Sequence, residues 1–272
     1  MSNDGVKLFG RAWLTTRKKP KNVINLVHGL GEHSGRYSHV AEAFNAAGYH
    51  FVAFDLRGHG LSAGKKGKAN GFEQLFEDIQ AFLQKSNLTF GVQTYPFLYG
   101  HSLGGSLVIN YNLHHHPKLS GIISTSPALA IADEPNKLKL LMVEGLSKLF
   151  PSLIIRNGLE THFLSHDQAI VKAYQDDALV HDKISVKLAL DLYQWGKKAL
   201  NDVQNWNTPL LLMHGTADRI TDHTSSKTFS KSHPKTELIL WENFYHEIHN
   251  ELGWEKVINK MIAWCDQIQV QG

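Results

Sequence analysis

Three absences in this 272-residue chain exclude whole classes of protein. The single cysteine, Cys265, cannot form an internal disulfide, and the apolar helical pattern around it favours a buried structural thiol. No uninterrupted apolar run approaches the ~20 residues that span a bilayer. The N-terminus also lacks the charged and apolar regions of a secretory signal peptide. These absences leave a cytoplasmic location as the expectation.

The chain also lacks a large excess of one charge sign. It has 28 Lys and Arg residues and 25 Asp and Glu residues, which gives a net charge of only +3. This scattered excess does not predict nucleic-acid binding. No P-loop and no Gly-x-Gly-x-x-Gly motif follows a strand-like segment, so nucleotide binding has no support. The segment 246–249, His-Glu-Ile-His, lacks the four-residue histidine spacing of a helical zinc site. We therefore predict no metal and no other cofactor.

The chain does contain a regular alternation of apolar strand-like runs and amphipathic helical segments. The predicted parallel strands are Val23–Val27, His50–Phe54, Tyr95–Tyr99, Gly121–Thr125, Pro209–Met213 and Glu237–Trp241. Helices are predicted from Tyr37 to Ala47, from Phe72 to Leu83 with Asn70 as N-cap, and from Val257 to Ile268. Such alternation predicts an α/β fold, with a mostly parallel sheet and helices on both of its faces. The alternating pattern of residues 6–13 predicts an antiparallel edge strand.

One gap in this alternation is too long for a single crossover helix. About eighty residues between Thr125 and Pro209 contain no convincing strand. We predict that residues 127–195 form a helical lid and that residues 1–126 and 196–272 form the core. Long insertions of this kind commonly cover active sites.

An apolar stripe with helical spacing marks the first part of this predicted lid. Its members are Leu138, Leu141, Met142, Leu146 and Leu149, with Leu153–Ile155 extending it past Pro151. Ser165–Gln168 has the pattern of a capping box that starts a second helix toward Tyr174. One interpretation packs the lid wholly onto the core. The favoured one gives it an apolar inner face that lines a substrate tunnel and an outer face that touches lipid.

The segment Gly100–Gly104, Gly-His-Ser-Leu-Gly, lies between a strand-like and a helix-like apolar run, which is the context of a nucleophile elbow. A serine hydroxyl attacks efficiently only when a base takes its proton and a carboxylate orients that base. Asp218 and His246 each follow a predicted strand, in the Ser–acid–His order of α/β hydrolases. The predicted catalytic residues are therefore Ser102, Asp218 and His246.

Other residues compete for two of these roles. Asp222 and Asp55 are rival acids, although Asp222 is expected at a surface or helix start and Asp55 in an ion pair with Arg57. His249 is a rival base, but His246 comes sooner after its strand.

The reaction also needs two hydrogen-bond donors for the oxyanion that develops in the transition state. One predicted donor is the backbone N–H of Leu103, which follows the nucleophile. The other is the backbone N–H of Leu30, in a loop where Gly29 and Gly31 allow close approach of a substrate.

Several motifs together resemble one family across nearly the whole chain. They are His28–Tyr37, Asp55–Ser62, Gly100–Gly105, Tyr174–Val180, Gly215–Asp218 and Tyr245-His246. This set is similar to the monoacylglycerol lipases, the lysophospholipase-like branch of the α/β hydrolases. The resemblance implies hydrolysis of monoacylglycerols to glycerol and fatty acid, with an amphipathic lid that meets membranes.

The resemblance also implies a small polar pocket for glycerol, formed by Glu32, Arg36, Tyr174 and His249. A salt bridge between Glu32 and Arg36 that only holds the loop is the alternative. The chain departs from the mammalian members, because it lacks their cysteines near the site and has Leu30 where many carry a smaller residue.

The sequence thus predicts a serine hydrolase that cleaves small lipid esters through an acyl-enzyme on Ser102. A lysophospholipase, a broad carboxylesterase or a thioesterase remains an alternative, because the elbow constrains the reaction more than the leaving group. A non-catalytic binding module with this fold is a more remote one. Peripheral membrane contact through the lid is left open, and the sequence makes no prediction of oligomeric state.

Overall fold

A computed structural model describes residues 2, 4–92, 94–133 and 135–271, and these residues form nine strands and eight α-helices. The strands are β1 (Gly10–Trp13), β2 (Val23–Val27), β3 (His50–Phe54), β4 (Phe97–His101), β5 (Gly121–Thr125), β6 (Ile154–Arg156), β7 (Lys183–Ser185), β8 (Leu210–Gly215) and β9 (Thr236–Trp241). The helices are α1 (Ser38–Ala47), α2 (Phe72–Phe90), α3 (Leu103–His115), α4 (Lys137–Leu149), α5 (Gln168–Asp176), α6 (Val186–Asp202), α7 (His223–Lys231) and α8 (Trp254–Gln271).

Seven strands form one central sheet in the order β1-β3-β2-β4-β5-β8-β9. Only β1 is antiparallel to its neighbour, so the predicted α/β fold with a mostly parallel sheet is confirmed. The register places Val27 beside Gly100, Gly100 beside Ser124 and Thr125 beside Met213. The carboxyl ends of these strands therefore meet at one edge, where α/β sheets place their sites.

Two hydrophobic cores cover the faces of this sheet. One contains Leu75 of α2, Leu107 of α3 and Leu188 of α6, and the other contains Val40 of α1 and Val257 of α8. Helix α3 is buried around most of its circumference because the sheet, α2 and α6 surround it. Cys265 lies in the second core as a buried free thiol.

The start of α2 differs from the prediction. Asn70 does not cap this helix, because Gly71 occupies the N-cap position and makes no side-chain cap bond. The N–H of Phe72 instead donates to Asp191 Oδ2 on α6, at 2.9 Å. A carboxylate distant in sequence therefore satisfies a first-turn donor, and the helix continues to Phe90.

The segment between β5 and β8 contains two strands that the sequence did not predict. β6 and β7 pair antiparallel in a separate two-stranded sheet, so the expectation of no strand here was wrong. The apolar residues Leu153–Ile155 lie beyond α4, which ends at Leu149 just before Pro151, and Ile154 and Ile155 belong to β6. Helix α6 crosses the predicted boundary between lid and core, which was placed between residues 195 and 196. The division of the chain into lid and core stays a prediction. The outer limits of the predicted core, residues 1 and 272, lie outside the described residues.

The predicted capping box does not form at the start of α5. Asp167 is the N-cap, and its side chain accepts a hydrogen bond from the N–H of Ala169. Ser165 Oγ instead donates to the carbonyl oxygen of Asn250, which links this segment to the loop after β9. The predicted helix toward Tyr174 is present with a different cap.

The apolar stripe of α4 faces outward. Leu138, Leu141, Met142 and Leu149 are 68%, 64%, 61% and 74% exposed, respectively. The interpretation that packs the lid wholly onto the core is therefore wrong, and the stripe is on the outer face. Within the described part of the chain, no helix is long and apolar enough to cross a membrane.

Candidate active site

The turn between β4 and α3 holds Ser102 in a strained backbone conformation. Its φ of 53° and ψ of −116° are unusual for a residue with a side chain, and its N–H donates to the carbonyl oxygen of Thr125 at 3.0 Å. A Cβ at Gly104 would overlap the carbonyl oxygen of Val27, and a Cβ at Gly100 would overlap that of Gly104. The two glycines therefore permit the tight turn that presents the Ser102 hydroxyl at the sheet edge.

Three side chains from separate loops form a continuous hydrogen-bonded chain. His246 Nδ1 lies 2.7 Å from Asp218 Oδ2, and His246 Nε2 lies 2.8 Å from Ser102 Oγ. Because a carboxylate only accepts, Nδ1 carries the proton in the neutral ring, and Nε2 accepts from the serine hydroxyl. Burial lowers the pKa of His246, but the charge and hydrogen bond of Asp218 outweigh it, so the pKa is raised overall. This geometry suits proton transfer from Ser102 to His246.

Asp218 is held by an unusually complete set of donors. Its Oδ2 accepts from Thr221 Oγ1 at 2.9 Å and lies 3.2 Å from His214 Nε2, in addition to the bond from His246. Its Oδ1 accepts from the backbone N–H groups of Ile220 at 2.8 Å and Thr221 at 3.0 Å. Burial raises the pKa of Asp218, but His246 and these donors hold it well below its usual range. The carboxylate is therefore ionised and fixed in orientation.

The rival acids have other contacts. Asp222 caps α7 through the N–H of Thr224. Asp55 accepts from the N–H and hydroxyl of Ser34 and from the N–H of Leu61, which ties the loop after β3 to the segment after β2. The expected ion pair of Asp55 with Arg57 is absent, because Arg57 binds Asp78 at 2.6 Å through both Nε and Nη2.

Ser102 and His246 open into a cavity of about 360 Å³, which also has Leu30, Leu103 and Leu192 in its wall. Helix α3 begins at Leu103, whose N–H is among the donors left unpaired in a first turn. Within the described residues, neither this N–H nor that of Leu30 donates to another protein group. Both predicted oxyanion donors are therefore adjacent to the nucleophile and available to a ligand.

Glu32 holds the loop that carries Leu30. Glu32 Oε1 accepts from the N–H of Gly29 and from Tyr37 Oη, both at 2.7 Å, and Oε2 accepts from Arg36 Nη1 at 2.7 Å. Burial raises the pKa of Glu32, but the positive charge of Arg36 acts against it and the pKa falls to about 2. Glu32 lines the cavity and also makes the loop-holding salt bridge.

Arg36 does not line the cavity, contrary to its expected place in a glycerol pocket. Its Nη1 and Nη2 bind Glu247 Oε1 and Oε2 at 2.6 and 2.7 Å, and its Cζ lies 4.7 Å from the centre of the Tyr174 ring. The sequence reasoning missed Glu247, which lines the cavity. Its only signal was its position next to His246.

His249 also lies outside the cavity wall. Its ring is fully buried, stacked on Tyr37 at 4.8 Å and in edge contact with His101 at 4.7 Å. Burial lowers its pKa well below the usual histidine value. Among the described residues, the base hydrogen-bonded to Ser102 is His246 and not His249, and the predicted substrate contact of His249 stays a prediction.

Two of the predicted pocket residues, Tyr174 and His249, have buried polar atoms without a hydrogen-bond partner among the described residues, and of these two only Tyr174 lines the cavity. Tyr174 lines the cavity with its ring buried against Arg36, and its buried hydroxyl has no hydrogen-bond partner in the described structure. An unpaired buried hydroxyl is costly, so this group is suited to bind a polar ligand.

Comparison with known proteins identifies the family. A model of the Hydrolase_4 family, described as serine aminopeptidase, S33, matches residues 18–253. The chain belongs to this family. It is 39% identical over 98% of its length to an uncharacterised abhydrolase domain-containing protein of Dictyostelium discoideum, of which it spans only 28%. It is 32% identical over 94% of its length to phospholipase YtpA of Bacillus subtilis and spans 99% of that protein.

A solved structure agrees with this assignment. The monoacylglycerol lipase of Paleococcus ferrophilus superposes with a TM-score of 0.88 and 32% identity, over 98% of this chain and all of that one. The resemblance seen in the sequence motifs is thus confirmed. The protein is a serine hydrolase with the α/β-hydrolase fold, and its relatives support a carboxylic-ester hydrolase.

Proposed function

We propose that this protein hydrolyses monoacylglycerols to glycerol and a free fatty acid. The observation that carries the proposal is the Ser102–His246–Asp218 chain, which opens into a cavity lined by leucine side chains and by the polar residues Tyr174 and Glu32. An ester with one acyl chain and a small polyol matches this combination of apolar and polar side chains. The likeness to a monoacylglycerol lipase at 32% identity supports the same substrate class.

The reaction follows from the positions of the three side chains. Ser102 Oγ attacks the ester carbonyl carbon while His246 Nε2 takes the hydroxyl proton, and Asp218 stabilises the resulting imidazolium. The N–H groups of Leu30 and Leu103 donate to the developing oxyanion. His246 returns the proton to the departing glycerol oxygen, which leaves the acyl group on Ser102. Water then attacks this acyl-enzyme with His246 as base, which releases the fatty acid and restores the serine.

The glycerol portion lies, in this proposal, against Tyr174 and Glu32. The Tyr174 hydroxyl is free to bond a glycerol oxygen. The Glu32 carboxylate has lone pairs beyond its present three bonds and can accept from a glycerol hydroxyl.

A fluorophosphonate probe tests the catalytic assignment directly. The wild type should be labelled, and Ser102→Ala should not be labelled although it remains folded. Absence of labelling in the folded wild type would exclude a serine hydrolase and leave the binding-module alternative. A substrate panel with one acyl chain on glycerol, glycerophosphocholine, methanol and coenzyme A then separates the proposed lipase from a lysophospholipase, an esterase or a thioesterase.

The outward stripe of α4 supports a second part of the proposal, peripheral membrane contact. Its exposed leucines and Met142 are accompanied by Lys137, Lys139 and Lys148 on the same helix, against the single carboxylate Glu144. Apolar side chains flanked by lysines suit the interface of an anionic membrane. Contact through α4 would place the enzyme where single-chain lipid esters reside. A cytoplasmic location stays a prediction.

A further inference from the structure

The polar end of the cavity contains an unequal number of buried charges. Arg36 lies between Glu32 and Glu247, and its guanidinium contacts both carboxylates at 2.6–2.7 Å. Asn250 Nδ2 donates to Glu247 Oε2 at 2.7 Å, which fixes the second carboxylate further. One cation therefore balances two anions, and this group of residues has a net charge of −1.

The arrangement presents the anions to the cavity and withholds the cation. Glu32 and Glu247 line the cavity of Ser102, whereas Arg36 borders a different groove together with His39 and Trp254. A ligand headgroup in the cavity therefore lies beside Glu32, Glu247 and Tyr174, and not beside Arg36.

Charges elsewhere in the cavity wall do not offset this imbalance. Lys139, Arg219, Asp133 and Glu160 are exposed residues in the same wall. Their two positive and two negative charges cancel, and solvent screens them. The buried carboxylates act in a medium of lower dielectric constant, where a charge has a stronger effect. The uncompensated negative charge thus belongs to the buried end.

We propose that Glu247 makes this cavity selective for esters of uncharged polyols and unfavourable to anionic lysophospholipids. A phosphate on the glycerol would lie near the Glu32 and Glu247 carboxylates with no cation to pair with. An uncharged glycerol can donate hydrogen bonds to these carboxylates and meets no repulsion. Selectivity thus arises largely from repulsion of the wrong headgroup. This inference rests on the proposed monoacylglycerol hydrolysis and names a residue that would disfavour lysophospholipids with an anionic headgroup.

The test compares two substrates that differ only in a phosphate, 1-oleoylglycerol and 1-oleoylglycerol 3-phosphate, in micelles of an uncharged detergent. The wild type should prefer the uncharged ester by about 100-fold or more in kcat/KM. Glu247→Gln keeps the shape and one acceptor but removes the charge. It should reduce this preference about tenfold, which is about 1.4 kcal/mol.

Two further variants distinguish charge from structure. Glu242→Gln removes the same charge from an exposed position earlier in the same loop and should leave the preference unchanged. Glu32→Gln removes the other cavity carboxylate and should reduce the preference in the same direction as Glu247→Gln. The ratio of two activities in one preparation is insensitive to partial unfolding, so a less stable variant remains informative.

The outcomes separate the inference from the function on which it rests. Equal wild-type activity on both oleoyl esters, or an unchanged preference in Glu247→Gln, would overturn the selectivity role of Glu247. Hydrolysis of p-nitrophenyl esters without hydrolysis of 1-oleoylglycerol would instead overturn the proposed function.

Discussion

Replacement of Asp218 by asparagine should disable His246 through its tautomer while leaving the fold in place. Asp218 Oδ1 accepts two backbone N–H groups, so the amide oxygen of an asparagine must occupy that position. Its NH₂ group then replaces Oδ2 and points at His246 Nδ1. Two donors cannot bond each other, so the neutral ring shifts its proton from Nδ1 to Nε2. With Nε2 protonated, His246 no longer accepts the proton of Ser102.

The expected loss in kcat is about four orders of magnitude, or about 5 kcal/mol of transition-state stabilisation. KM should change little, because Asp218 does not line the cavity that would hold the substrate. Stability should also fall, because Thr221 Oγ1 and His214 Nε2 lose an acceptor at Oδ2. A lost buried hydrogen bond of this kind costs about 1–3 kcal/mol.

Steady-state hydrolysis of a p-nitrophenyl ester measures both parameters, and thermal unfolding confirms that the variant is folded. Asp222→Asn is the matched control, since this residue caps α7 outside the hydrogen-bonded chain and should retain activity. Near-normal turnover of folded Asp218→Asn would refute the reasoning. Loss of turnover in Asp222→Asn instead would assign the acid to that residue.

Three further predictions concern the base, the elbow and the membrane contact. The acid limb of kcat/KM for an uncharged ester should titrate above pH ~6.5, because the pKa of His246 is raised and the base must be neutral; a midpoint below pH 6 would contradict this. Gly104→Ala should lower the free energy of unfolding by about 1–3 kcal/mol, because its Cβ would overlap a neighbouring carbonyl. The control Gly145→Ala adds a Cβ in open space, and equal urea midpoints for the two would count against the tight elbow. Replacing both Leu141 and Leu149, 64% and 74% exposed, by serine should weaken binding to anionic vesicles about 30-fold or more, since their burial is worth roughly 2–4 kcal/mol. Unchanged vesicle co-sedimentation of this folded variant would rule out contact through α4.

Patterns confined to a few neighbouring residues were sufficient for much of the fold. Apolar runs of about five residues predicted the core strands, and α1 ends at Ala47 as expected, because Gly48 follows it with a φ of 100°. The predictions that were wrong depended on partners far along the chain. The cap of α2 comes from Asp191, and β6 exists because it pairs with β7.

The sequence by itself determined the reaction. Ser102, Asp218 and His246 each follow a strand, and the carboxyl ends of parallel strands meet at one edge of the sheet, so their order along the chain was enough to group them. Only the tertiary structure decided the polar end of the cavity. Arg36 and Glu247 are 211 residues apart, and their pairing depends on how two loops pack and which way each side chain points. Local periodicity contains no information about such contacts, so the headgroup selectivity that we infer became visible only in three dimensions.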